Sequence, residues 1–137
     1  MARGENPGTL LSVQCIQMGG NAVLYDKDED FGHASAGKDL VLSLITTGSN
    51  AGQAQLGADD AKILGKFVDL DQKGVASYMP SAHPMLLRKT AAAIPPGSSL
   101  VCAGAGKVKA DASAASRGQV IEIQETGDNG RILALMP

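Results

Sequence analysis

The sequence predicts an all-β fold, a small barrel-like or sandwich-like domain with an extended N-terminal arm. Three observations carry this reading. From Ile63 to Met136 the chain is a series of short apolar runs separated by glycine and proline, and short runs bounded by turn residues read as strands. In Gln119–Glu125, Ile121 and Ile123 alternate with Glu122 and Gln124, the period of a half-buried strand. Between that run and the next lies Gly127-Asp128-Asn129-Gly130, where Asn-Gly supplies the positive φ angles of a tight hairpin turn.

The elements follow in chain order. Residues 1–9 read as an extended arm, because Gly4, Pro7 and Gly8 oppose helix and no apolar run anchors the segment. Leu10–Gln17 is the first strand, ended by the turn signal Gly19-Gly20-Asn21. Ala22–Tyr25 is a short second strand, followed by a loop through Asp26-Lys27-Asp28-Glu29-Asp30 to Lys38. Leu40–Thr47 is rich in β-branched residues and reads as a strand, whereas the small, polar stretch Gly48–Asp60 reads as a loop. A short helix near Ala58–Ile63, capped by Asp59, is a second reading of that end. The remaining strands fall at Ile63–Leu70, Val75–Met79, Met85–Lys89, Ser99–Cys102, Val108–Ala110, Gln119–Glu125 and Arg131–Met136. Asp111–Ser116 is a loop of small residues, and residues 10–137 form a single β-rich domain.

A chain of 137 residues suits one domain and buries roughly two thirds of its unfolded surface. Its core must be aliphatic, since only 3% of residues are aromatic and there is no Trp. Net charge is −2, and no basic block exceeds Arg88-Lys89. Nucleic-acid binding needs clustered cations and stacking aromatics, so no nucleic-acid partner is expected. The first eight residues lack the apolar stretch of a signal peptide. No run approaches the ~20 residues needed to cross a bilayer. The expectation is a soluble chain made in a cytoplasm, with no membrane partner.

Motifs that carry chemistry fall short of their requirements. Gly32-His33-Ala34-Ser35-Ala36-Gly37-Lys38-Asp39 has the spacing of a phosphate-binding loop, but Asp39 stands where Ser or Thr should ligate magnesium. A strand pattern also follows, where that motif requires a helix. Asp26, Asp28 and Asp30 have calcium-loop spacing, yet Phe31 replaces the expected glycine and Gly37 the expected Glu. His33 and His83 have no ligand partner at metal-site spacing. No serine sits in a G-x-S-x-G turn. Gly104-Ala105-Gly106-Lys107 reads as a hairpin turn, and Arg88, Lys89 and Arg131 as solvated strand-face charges or as ion-pair donors at a subunit contact. Cys15 and Cys102 permit one disulfide, but two buried thiols are the favoured reading. No enzymatic activity, cofactor or metal is expected.

The segments Ile63-Leu64-Gly65-Lys66-Phe67-Val68-Asp69-Leu70-Asp71-Gln72-Lys73-Gly74, Ile94-Pro95-Pro96-Gly97-Ser98-Ser99-Leu100-Val101 and Gly104-Ala105-Gly106-Lys107-Val108 resemble the capsid decoration, or cement, proteins of tailed bacteriophages. The likeness covers residues 62–136, including the closing hairpin. It implies a small β protein, commonly a homotrimer, that adds to the outside of an expanded icosahedral shell and bridges neighbouring major capsid proteins. Location on the virion exterior follows from that role. The arm, Ala2, Arg3, Gly4, Glu5, Asn6, Pro7, Gly8 and Thr9, is the expected capsid-binding element. An extended arm suits pairing with an exposed sheet edge, and many weak contacts on a lattice add through avidity. Ordering it costs ~1–2 kcal/mol per residue, so it is expected to gain order on docking. The alternative is a surface-displayed module that shows Asp26–Lys38 or Gly48–Asp60 to a host glycan. Only Tyr25 and Tyr78 could supply the stacking rings of such a module.

Overall fold

The computed structural model describes residues 13–19, 39–71 and 73–136. The expected arm, the Ala22–Tyr25 strand, the acidic loop and the glycine-rich stretch before Asp39 lie outside these residues. The described chain is all-β, with ten strands: β1 Gln14–Gln17, β2 Val41–Leu44, β3 Ala54–Leu56, β4 Gly65–Leu70, β5 Val75–Met79, β6 Ala82–Arg88, β7 Leu100–Gly104, β8 Lys107–Ala110, β9 Gln119–Ile123 and β10 Arg131–Met136. They form a five-stranded sheet in the order β1-β5-β4-β2-β3, a three-stranded sheet β6-β10-β9 and the hairpin β7-β8. Every pairing between strands is antiparallel.

The five-stranded sheet curls until its edges touch. Met18, just after β1, makes a parallel bridge to Ala54 of β3, and the Gly19 amide donates to the Ala54 carbonyl at 2.6 Å. One bridge does not close a barrel, so the sheet remains an open curl. Its concave side buries Met18, Leu40, Leu42, Ala54, Phe67 and Ala76.

A second core lies between the three-stranded sheet and the β7-β8 hairpin. Strand β10 alternates strictly, with Ile132, Ala134 and Met136 fully buried. These meet Met85 and Leu87 of β6, Val120 of β9, Leu100 and Cys102 of β7, and Val108 of β8. Full burial of one such aliphatic side chain contributes ~1.5–3 kcal/mol. No aromatic ring joins this cluster, in keeping with the aliphatic composition.

Strands β5 and β10 match their expected bounds, and most others differ by a residue or two at an end. Met85–Lys89 starts earlier, at Ala82, and Leu40–Thr47 shortens to Val41–Leu44. Two expectations are corrected. The stretch Gly48–Asp60 contains β3, which forms because β2 offers an open edge and pairs Leu42 with Leu56, Ser43 with Gln55 and Leu44 with Ala54. The alternative helix near Ala58 is absent: the Ala61 amide bonds the Ala58 carbonyl in a single turn.

The turns use the residues their geometry demands. Ala105 (φ 53°) and Gly106 (φ 80°) are both left-handed, as a two-residue hairpin loop requires. In the last hairpin the positive angles fall on Gly127 (φ 85°) and Asn129 (φ 65°), with Gly130 outside that region. Gly118 is constrained twice: its φ is +79°, and a Cβ there would lie 2.7 Å from the Leu135 carbonyl oxygen.

Candidate interaction surface

The expected capsid-binding residues, Ala2–Thr9, lie outside the described chain, which begins at Val13 and enters the edge strand β1. From Val13 to Gly19 there is no charged residue and no proline. Val13 is 50% exposed, and Gln14 and Cys15 are exposed as well. Edge strands are ordinarily guarded from pairing by Lys, Pro or a bulge. Upstream of Met18 this edge carries none of these, and among the described residues no strand pairs with it there, β3 meeting it only at the Met18 bridge.

A groove of about 520 Å³ opens at the far end of β2, lined by Leu44, Thr46, Lys62, Ile63, Leu64 and Arg117. Its floor is aliphatic and its charges are basic. Arg117 Nη1 donates to the Ile63 carbonyl at 3.0 Å and the Leu64 carbonyl at 2.9 Å, and Nη2 donates to the Pro80 carbonyl. One guanidinium thereby ties β9's approach to the starts of β4 and β6. Burial pushes the Arg117 pKa down from its ordinary value, because desolvation disfavours the charged form. No sequence motif marks Arg117. Its acceptors lie 37 to 54 residues away, so only the folded chain assembles them.

The turn between β9 and β10 gathers four cations. Arg88 Nη1 donates to the Asn129 carbonyl at 2.8 Å. Lys89 Nζ donates to the carbonyls of Thr90 at 2.7 Å and Gly127 at 3.3 Å. Lys107 pairs with Asp128 at 3.0 Å, and Arg131 grips Glu125 with two bonds of 3.1 Å. The expectation of a solvated Lys89 is corrected: only 2% of it is exposed. Its ammonium tolerates that position through the carbonyls it bonds.

Other reactive groups have local explanations. Asp39, the residue that breaks the phosphate-loop pattern, is 2.7 Å from Lys66 Nζ. Lys109 bridges Asp59 at 2.9 Å and Asp60 at 2.7 Å, and the hydrogen bond to Asp60 is the main cause that raises its pKa. Both described cysteines are free thiols. Cys102 is buried as expected, and desolvation pushes its pKa up to about 12. Cys15 corrects the expectation of two buried thiols: it is exposed on β1, with Sγ 3.9 Å from the Ser77 hydroxyl. The leading residues of this edge strand, Gln14 and Cys15, are both open to solvent. His83 falls within β6, and His33 and the Asp26–Asp30 run lie outside the described residues. Among the described residues no group of three or more His, Cys, Asp or Glu is placed to hold a metal ion, and no helix is long and apolar enough to cross a membrane.

The bulge in β9 is the feature that sequence alternation misreads. Leu133 pairs with Glu122 but Ala134 pairs with Val120, so Ile121 is the extra residue. A bulge breaks the in-out alternation. Val120 is therefore the buried residue, and Ile121 and Glu122 are both exposed. Ile121 is 44% exposed where alternation places it inside.

Comparison of the chain with known protein families and with curated proteins finds no match.

Proposed function

We propose that this protein is a structural, non-enzymatic component of a phage virion. In this reading it binds the outer surface of an expanded icosahedral capsid as a homotrimer and stabilises the shell by bridging neighbouring major capsid proteins. The observation that carries the reading is the first strand. The described chain begins at Val13 and enters β1, an edge strand without charge or proline whose leading residues face solvent. Such an edge suits strand addition to a partner. The segments that resemble decoration proteins fall in β4, β7, β8 and the loops around them, so the likeness covers the body and the arm supplies the contact.

The non-enzymatic part rests on how the ionisable groups are used. Asp39 with Lys66, Lys107 with Asp128, Lys109 with Asp59 and Asp60, and Arg131 with Glu125 form ion pairs. The Cys102 thiol is held in its unreactive protonated form. The glycan-binding alternative has less support, because Tyr78 packs against the core of the curled sheet.

The test is a thermal or osmotic challenge of genome-filled particles with and without the protein. Decorated particles should retain their genome under conditions that burst bare ones. Equal survival of both would remove the stabilising role.

A further inference from the structure

The groove at the end of β2 and the bulged ridge on β9 are complementary surfaces of one chain. The groove has an aliphatic floor of Leu44, Ile63 and Leu64, with Leu44 41% exposed, and basic groups in Lys62 and Arg117. The ridge presents the opposite charge in the same format: an exposed aliphatic side chain, Ile121, followed by an exposed carboxylate, Glu122. Among the described residues neither Lys62 nor Glu122 has an ion-pair partner. The ion pairs between described residues leave these two charges unmatched, beside Leu44 and Ile121, two of the four large exposed hydrophobics among the described residues.

We propose that the groove receives the Ile121–Glu122 ridge of a second copy of this chain. Ile121 enters against Leu44 and Leu64, over the buried Ile63, and Glu122 meets Lys62 beside the Arg117 guanidinium. Groove and ridge are different surfaces, so the contact is heterologous and repeats head to tail until it closes into a ring. Three copies fit the homotrimer of the proposed function, and the inference rests on the self-association in that reading. The bulge acquires a purpose here. Without it, regular alternation would turn Ile121 or Glu122 to the opposite face, and the paired apolar and acidic display would be lost.

The test is the native mass of the full chain at micromolar concentration, measured for the wild type, Lys62→Glu, Glu122→Lys and the double exchange. The wild type should be a trimer. Each single reversal should weaken association about tenfold or more, and the double exchange should restore it, which also shows that the variants fold. Ile121→Asp should dissociate the trimer without rescue by either reversal. A monomeric wild type would overturn both this contact and the self-association it rests on. A trimer that persists through both single reversals, or a double exchange that fails to reassemble, would overturn the contact alone. Shell binding by the wild type is scored separately by co-sedimentation, so failure there would strike the virion role and not this interface.

Discussion

Lys66 holds the carboxylate of Asp39 in an ion pair with Nζ 2.7 Å from Oδ1, and only 10% of the Asp39 side chain is exposed. The pair sits on a strained backbone, since Asp39 has a φ of 70°. Its carbonyl also accepts the Arg88 amide at 2.8 Å, which ties the five-stranded sheet to β6. Removing one partner of a shielded pair leaves an uncompensated charge. Lys66→Met should therefore destabilise the fold by about 1–3 kcal/mol. Adding Asp39→Asn should recover part of the loss, because no bare carboxylate then remains. Urea denaturation midpoints of the single and double variants check this, and an additive double variant would contradict it.

Arg117 should matter as much, and more specifically. Three carbonyls from two distant segments converge on one guanidinium. Lysine keeps the charge but lacks the planar fork. Arg117→Ala should cost about 2–4 kcal/mol, and Arg117→Lys should retain less than half of the difference. The measurement is the denaturation midpoint with the slope held constant.

These residues show where sequence reading succeeds and stops. Strands β5 and β10 are bounded by Gly74, Pro80 and Gly130 and carry clear apolar patterns, so they are legible from local chemistry. Strand β3 is not, because Ala54-Gln55-Leu56 has no β-branched residue and becomes a strand only by pairing with β2. The burial of Lys89 is equally hidden, since its acceptor Gly127 lies 38 residues on. The bulge at Ile121 reverses what alternation implies for β9. For the candidate surface, the expected arm lies outside the described residues. The basic groove is not legible, since Leu44, Lys62 and Arg117 come from three separate stretches of chain.

Acid should loosen the last hairpin first. Hydrogen bonds from Arg131 hold the Glu125 pKa below its ordinary value, and those from Lys107 do the same for Asp128. A lowered folded pKa means that the unfolded chain takes up the proton at higher pH. The contribution of each carboxylate is complete above the usual carboxylate range, about pH 4, and is lost as pH falls through the lowered values. Melting temperatures recorded from neutral pH to about pH 2 should drop for the wild type. The Glu125→Gln, Asp128→Asn variant should begin lower and show a shallower acid decline.

The two thiols should differ sharply in reactivity. Cys15 is exposed and Cys102 is buried, with a pKa pushed up to about 12. A disulfide-exchange reagent at neutral pH should titrate one thiol per native chain and both after denaturation. Two thiols reacting rapidly in the native protein would contradict the placement of Cys102 in the core.

The most direct measurement is co-sedimentation of the full chain, and of a chain lacking residues 2–9, with empty expanded shells. The account predicts that the full chain pellets with shells at a fixed ratio, and that the shortened chain stays in the supernatant while keeping its melting temperature. Equal pelleting of both chains, or of neither, would contradict it.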